Sequence, residues 1–190
     1  MKWVLIILGV FVGIIVIAVA TLAVLSSRDD ANHMRNSVVI HEKPEAIWPW
    51  LYEPDKLKTW VSWLVEVRRE SNGEPAQGTR SVWVMEDRNN NNARMEIASE
   101  VERVESQRLL AVNLSVAGAF RGKASYTLTP LADGSTRVEC EGRYDFDNRF
   151  ARLMTPLIMS QAGKKMTADL DHLRSNVEAS RSAAAPAPVR

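Results

Sequence analysis

The side chains that most often carry chemistry are few in this sequence and widely separated. The histidines, His33, His41 and His172, have no metal-ligand spacing, and neither an HExxH motif nor a cysteine–histidine cluster occurs. Residues 169–172 (DLDH) place aspartates near a histidine, but consecutive helical positions point in different directions, so we expect a solvated helix face there. The pattern therefore predicts no metal site, and no cofactor is implied.

The single cysteine, Cys140, excludes an internal disulfide and a thiolate metal cluster. It falls on the apolar side of an alternating segment and has no catalytic partner nearby in the sequence. This favours a small buried apolar residue over a nucleophile. Motifs such as GxSxG, a Walker-type loop and GxGxxG do not occur either, so no catalytic centre is predicted from motifs alone.

Aromatic and sulfur-containing side chains are the concentrated feature of the chain. Four tryptophans fall within residues 48–63, and Trp83 and Met85 share one face of a predicted strand. Met95 and Ile97 follow on the neighbouring strand. Such side chains fill the core of any domain, but they also line ligand pockets, which are mostly apolar. Both interpretations stay open for each of these residues.

Charge is nearly balanced, because 24 basic and 23 acidic residues give a formal net charge of +1. Without a basic surplus, no nucleic-acid partner is expected. On the predicted strands, the charged side chains fall mostly on one wet face, away from any interior cavity. General acid–base catalysis needs a titratable group positioned at the substrate, so this arrangement argues against an enzyme.

An uncharged apolar run occupies Trp3–Leu25. A helix of this length is about 35 Å long, enough to cross a bilayer core of about 30 Å. An A-x-A-like site at residues 18–20 offers the alternative of a cleaved signal peptide, but the run continues past that site. We therefore predict a single-pass anchor at 1–27 and a spacer at 28–35. The short N-terminal tail favours a domain on the extracytoplasmic side.

The rest of the chain is divided by proline, glycine and asparagine signals. Residues 36–42 predict a first strand, and Pro44 and Pro54 each begin a short helix, the first distorted by Pro49. Strand and hairpin signals from Trp63 to Phe146 then predict about six antiparallel strands, with the asparagine run at 88–92 as one hairpin tip.

The last part of the chain changes its apolar period from 2 to 3.6 after Asp147. Thr155 and Pro156 resemble a helix N-cap followed by a first-turn proline, so a short helix precedes a long one that runs to about Glu178. The apolar stripe of the long helix needs a sheet face to cover. The Ala/Pro-rich end, 180–190, is predicted to be disordered.

The segment VVIHEKPEAIWPWLYEPDKLKTW resembles the opening of the polyketide cyclase/dehydrase-type branch of the START-type, birch-pollen-allergen-like (SRPBCC) superfamily. The segments MEIASEVERVESQRLLAV and GKKMTADLDHLRSNVEA are similar to its middle strands and last helix. The resemblance covers 36–179. It implies an α+β helix-grip fold, in which a curved antiparallel sheet of about seven strands wraps around a long C-terminal helix, with two short helices after the first strand.

Relatives of this type hold hydrophobic molecules between sheet and helix, which favours the pocket interpretation. The residues expected to line such a cavity are Trp60, Trp63, Trp83, Met85, Met95, Ile97, Leu114, Phe120, Tyr126, Cys140, Tyr144, Met154 and Ile158.

The combined prediction is a membrane-anchored domain that binds or transfers a hydrophobic small molecule or lipid. Two alternatives stay open. One is a cyclase/dehydrase-like enzyme acting on an aromatic or polyketide-type substrate, which needs a group such as Tyr126 or Tyr144 in the cavity. The other is a membrane-associated interaction or scaffold domain with a solid interior. The oligomeric state is not defined by the sequence.

Overall fold

The computed structural model describes the backbone of residues 2–87 and 91–184, and the side chains of residues 10–87 and 91–181. The helices and strands, in chain order, are α1 (Lys2–Ser26), β1 (His33–Ile40), α2 (Pro44–Ile47), α3 (Pro54–Trp60), β2 (Leu64–Arg69), β3 (Arg80–Asp87), β4 (Ala93–Glu105), β5 (Leu109–Val116), β6 (Phe120–Pro130), β7 (Thr136–Phe146), α4 (Arg149–Leu153) and α5 (Thr155–Ala184).

Prolines set the boundaries of the short helices. Pro44 and Pro54 stand in the first turns of α2 and α3, where a missing N–H costs nothing. Pro49 cannot donate the next α-helical hydrogen bond, and the chain tightens into a 3₁₀ turn at Trp48–Leu51. The predicted distortion of the first helix is confirmed.

The sheet has seven strands in the order β1-β7-β6-β5-β4-β3-β2, and every neighbouring pair is antiparallel. This confirms the predicted seven-stranded antiparallel sheet with a long C-terminal helix. The strand β1 begins at His33 rather than at residue 36, where the sequence predicts its start. Pairing of His33 with Arg143 on β7 extends β1 beyond its β-branched stretch.

The predicted hairpin tip at 88–92 lies partly outside the described residues, since 88–90 are not among them. Asn91 and Asn92 adopt the left-handed conformation, with φ of 49° and 55°. Asparagine tolerates this conformation better than most residues, which agrees with a hairpin tip at this position.

Alternation gives the sheet one buried and one wet face. On β7, Thr136, Val138 and Cys140 are fully buried, while the charged residues between them point outward. The inner face is covered by α5, which packs against β1 and α3. Leu170 and Leu173 of α5 are almost fully buried there, and burying each leucine contributes about 1.5–3 kcal/mol.

The helices α1 and α5 lie at the two ends of the chain. Among the residues that the structure describes, no helix has both the length and the apolarity of a membrane span. The predicted anchor includes residues 3–9, whose side chains are outside the described residues. The anchor therefore stays a prediction. At the other end, α5 continues to Ala184, because serine, arginine and alanine are compatible with a helix. The predicted disorder is therefore corrected for 180–184, and 185–190 lie outside the described residues.

Candidate functional site: an apolar groove at one end of the sheet

The inner face of the sheet has two parts. One part is packed in the core, and the side chains of the other part are half-exposed. In the packed half, the Trp60 and Tyr126 rings meet edge to face, with centroids 6.1 Å apart. Trp60 donates its indole N–H to the Trp50 carbonyl at 2.9 Å. Cys140, opposite Tyr126 on the next strand, is fully buried. These three predicted lining residues, Trp60, Tyr126 and Cys140, lie in the core.

Burial also determines the chemistry of this packed half. It raises the pKa of the Cys140 thiol to about 12, and it raises the pKa of the Tyr126 phenol well above its ordinary value. Both groups are therefore protonated at neutral pH. The interpretation of Cys140 as a small buried residue is confirmed.

A small cavity remains between the sheet and the short helices. Its volume is about 40 Å³, and Leu51, Leu57, Trp83 and Val101 are among its lining residues. That volume holds about one or two water molecules. This interior cavity is too small for a lipid.

The partly exposed half includes the inner-face side chains of β3 and β4 that lie nearest to the β3–β4 hairpin. Met85 pairs with Met95 across these strands, and Trp83 pairs with Ile97. All four side chains are partly accessible, and Met95 is 40% exposed. Neighbouring methionine and tryptophan side chains here present apolar surface that can adapt to a ligand.

Aromatic side chains continue this surface across β6 and β7. The Phe120 and Tyr144 rings meet at a centroid distance of 5.9 Å. Tyr144 occupies the space left by two glycines: a Cβ added to Gly122 would lie 2.4 Å from the Tyr144 ring, and one added to Gly142 would lie 2.8 Å from it. Leu114 stands opposite Gly122 on β5. Glycine at these positions lets a tyrosine lie flat on the sheet.

We call this half-exposed surface the groove. The predicted lining residues that remain partly or largely accessible are grouped under this name: Trp63, Trp83, Met85, Met95, Ile97, Leu114, Phe120, Tyr144, Met154 and Ile158. The strand register brings the β3–β7 members side by side, while Met154 and Ile158 lie at and after the α4–α5 junction.

A buried carboxylate at one side of the groove was missed by the sequence analysis. Asp169 is only 2% exposed and accepts hydrogen bonds from the Ser62 backbone N–H (3.2 Å), the Ser62 hydroxyl and the Lys165 ammonium (2.9 Å). Lys165 also donates to the Ser62 carbonyl at 2.9 Å. The expectation of a solvated face is therefore wrong for Asp169. The signal was available, because Asp169 lies three residues after Met166 and four before Leu173, on the apolar stripe itself.

This arrangement positions Trp63. The residue has a φ of 73°, which is uncommon for tryptophan, and its ring lies under the Lys165 ammonium at 5.1 Å from the centroid. Because Asp169 and Lys165 hold both sides of Ser62, the α3–β2 connection stays fixed and the half-exposed indole stays beside the groove.

An open cavity of about 460 Å³ lies between the end of α1 and the groove. Its lining includes Ser26, Arg28, Tyr144, Phe146 and Arg152. The cavity connects the C-terminal end of α1 with the aromatic end of the sheet.

A larger open depression, about 840 Å³, lies on the outer sheet face. Its cations are largely matched by carboxylates; Arg80, for example, pairs with Glu100 at 2.9 Å. The depression therefore has little net charge with which to attract an ionic ligand.

Two of the three histidines have structural partners. His33 lies 2.7 Å from Glu141, and His41 lies 3.0 Å from Glu178. Among the described residues, no group of three or more histidine, cysteine or acidic side chains is arranged to hold a metal ion.

Residues 32–178 match the sequence profile of a family described as polyketide cyclase/dehydrase and lipid transport. The chain belongs to this family. The resemblance inferred from the sequence is thereby confirmed at the family level. No curated protein sequence gives a significant match.

Solved structures of other proteins share the fold of this family member. A protein from Thermus thermophilus has a TM-score of 0.62 at 19% identity, covering 78% of this chain and 98% of that one. The START superfamily protein from Mycobacterium smegmatis has a TM-score of 0.63 at 12% identity, covering 77% and 97%. A protein from Nitrosomonas europaea has a TM-score of 0.63 at 14% identity, covering 82% and 99%. At these identities, the similarity establishes a common fold.

Proposed function

We propose that this protein binds a hydrophobic small molecule or lipid in the groove, next to a membrane to which α1 attaches it. The observation that carries the proposal is the half-exposed apolar surface built from Trp83, Met85, Met95, Ile97 and Phe120. Exposed apolar area of this kind is costly in water unless a ligand or partner covers it. The family description, which includes lipid transport, supports a lipid-like occupant.

The α1 helix supports the membrane part of the proposal. Its 25 residues amount to about 37 Å, and its apolar side chains from Val10 to Val24 are largely exposed. An anchor of this kind holds the groove close to a reservoir of apolar ligand, which raises the effective ligand concentration. We further propose that the domain faces the extracytoplasmic side.

Photo-crosslinking tests ligand binding. The full-length chain is reconstituted in vesicles that contain a diazirine-bearing fatty acid, irradiated and mapped by peptide mass spectrometry. We expect cross-links within residues 83–97. Met95→Glu should reduce them several-fold, because it places a charge in the apolar groove.

Val39→Glu is the matched control for this experiment. Val39 is a strand residue with similar exposure, 36%, but it points away from α5 on the outer face of β1. Its substitution should leave the cross-links unchanged. Cross-links confined to residues 3–25 of the wild-type chain would contradict ligand binding in the groove.

Alkaline carbonate extraction tests the anchor. The wild-type chain should remain with the membranes, whereas Ile14→Lys should be partly released, because a lysine at the bilayer centre costs about 2.5–3.5 kcal/mol. Val39→Lys should behave as the wild type. Complete release of the wild-type chain would contradict membrane attachment by α1.

A catalytic role in the groove, as in a cyclase/dehydrase-like enzyme, would fall to Tyr144. Tyr144 borders both the groove and the open cavity at the end of α1, whereas Tyr126 is in the core. Burial raises the pKa of Tyr144, so its phenol stays protonated at neutral pH and can donate a hydrogen bond to a substrate oxygen. If this role holds, Tyr144→Phe should abolish turnover of an aromatic polyketide-type substrate while Tyr126→Phe retains it.

A further inference from the structure

The most exposed large apolar side chains outside α1, among the residues described, lie together near the end of the fold where α1 joins. Phe150 of α4 is 73% exposed, and Leu157 in the first turn of α5 is 49% exposed. Both helices pack against α1. An apolar side chain this exposed on a short helix adds little to the core, so its position calls for a different contact.

Cations flank these apolar side chains. The described residues include no carboxylate paired with Arg149. Arg152 directs its guanidinium to the backbone carbonyls of Phe146 (2.7 Å) and Asp147 (3.3 Å) rather than to a carboxylate. Both positive charges therefore remain available to anions. Asn148 caps α4 by accepting a hydrogen bond from the Ala151 N–H at 2.7 Å, which fixes the helix that carries Phe150.

We propose that Arg149, Phe150, Arg152 and Leu157 form a membrane-docking face. In this arrangement the apolar side chains enter the headgroup boundary, and the arginines contact lipid phosphates. The inference rests on the proposed attachment by α1, and it adds a second contact that fixes the orientation of the domain.

Continuity with α1 and charge complementarity favour a bilayer over a protein partner. The docking face adjoins the point where α1 enters the domain, so an anchored chain holds it at the membrane surface. Exposed aromatic and aliphatic side chains flanked by basic residues are typical of interfacial helices. Docking there also turns the open cavity at the end of α1, and the groove behind it, toward the lipid.

Fluorescence quenching by brominated lipid tests the face on the full-length chain. Because Cys140 is buried, a cysteine added at one site can be labelled selectively with an environment-sensitive fluorophore. The labelled variants are Ile15→Cys in α1, Phe150→Cys and Leu157→Cys in the docking face, and Ala132→Cys in the β6–β7 turn. That turn lies at the other end of β7, about 33 Å from Phe146.

Each variant is reconstituted in vesicles of phosphatidylcholine mixed with phosphatidylglycerol. We expect strong quenching at positions 15, 150 and 157 and none at 132. Adding Arg149→Gln and Arg152→Gln should reduce quenching at 157 several-fold, and pure phosphatidylcholine should have the same effect. Phe150→Glu should also reduce quenching at 157, whereas Ser175→Glu, at an exposed position of α5 about 27 Å further along the helix, should not.

Quenching at 15 without quenching at 150 and 157 would overturn the docking face and leave the anchor intact. Absence of quenching at all four positions would overturn both. Equal quenching at 132 and 150 would overturn a specific face. A blue-shifted but unquenched label at 150 would indicate a protein contact and also overturn the proposal.

Discussion

A carboxylate that is removed from water is stabilising only when hydrogen bonds compensate its charge, and Asp169 meets this condition through Ser62 and Lys165. Its position explains how one side chain of α5 determines the path of the α3–β2 connection. The same contacts fix Trp63 in a backbone conformation that few tryptophans adopt.

Asp169→Ala should lower the free energy of unfolding by roughly 3 kcal/mol, because hydrogen bonds to a charged group are lost and buried donors are left unpaired. The control is Asp171→Ala two residues later. Its side chain is 51% exposed and pairs with Arg174 at 3.0 Å, so its loss should change stability by less than about 1 kcal/mol. Urea unfolding of the two variants measures the difference, and equal effects would contradict the assigned role of Asp169.

Gly122→Ala should destabilise the protein by about 1–3 kcal/mol, since the added methyl group collides with the Tyr144 ring and with the Arg143 carbonyl. Gly163→Ala in α5 is the matched control. Nothing lies within 4 Å of its added Cβ, so it should stabilise the helix by about 0.5–1 kcal/mol. Both values come from chemical denaturation. An unchanged free energy of unfolding in Gly122→Ala would contradict the packing of the Tyr144 ring against Gly122.

At the scale of elements, a single carboxylate links three segments that are far apart in the sequence. Glu74, after β2, accepts hydrogen bonds from the Trp48 indole (2.5 Å) in the 3₁₀ turn and from the Ser106 hydroxyl (2.6 Å) between β4 and β5. Hydrogen bonds from Ser106 and then Trp48 lower the pKa of Glu74 below its ordinary value. The link depends on the ionised carboxylate.

The contribution of Glu74 to the stability of the fold should therefore decrease as the pH is lowered. A lowered pKa in the folded state means that the stabilising contribution is present above the ordinary pKa and is lost as the pH falls through the lowered one. The difference in unfolding free energy between the wild type and Glu74→Gln should accordingly shrink as the pH falls through and below the ordinary pKa of a glutamate, 4.5. A difference that stays constant as the pH is lowered would contradict the link.

Most elements were predictable because their signals are local. Pro44, Pro49 and Pro54 act through their own missing N–H groups, and the alternation of β6 and β7 is readable along each strand. The division of the inner face into core and groove was not predictable in this way. Tyr126 and Tyr144 occur at equivalent alternating positions, yet one lies under α5 and the other lies on two glycines near the open end. That difference depends on where the helix crosses the sheet, and such a crossing has no local signature.

At the scale of the whole molecule, the reactivity of the Cys140 thiol indicates whether the packed part of the sheet–helix core is closed. Its thiol is fully buried, and burial raises its pKa to about 12, so little reactive thiolate forms in the folded state. Reaction with a disulfide reagent at neutral pH should therefore be limited by opening of the sheet–helix core. It should accelerate in Asp169→Ala by about tenfold for each 1.4 kcal/mol of stability that is lost. Rapid reaction of the native wild-type protein would contradict a closed core.

The sheet order also has a consequence for how the chain is made. β1 is the first strand to be synthesised, but its partner is β7, the last, and His33 pairs with Arg143. A ribosome must therefore produce nearly the entire domain before the first strand finds its neighbour. Pairings between distant segments also form slowly. If α1 enters the membrane as it emerges from the ribosome, the rest of the chain folds while it is attached to the bilayer. The strand β1 then stays unpaired beside the lipid surface until β7 has been synthesised.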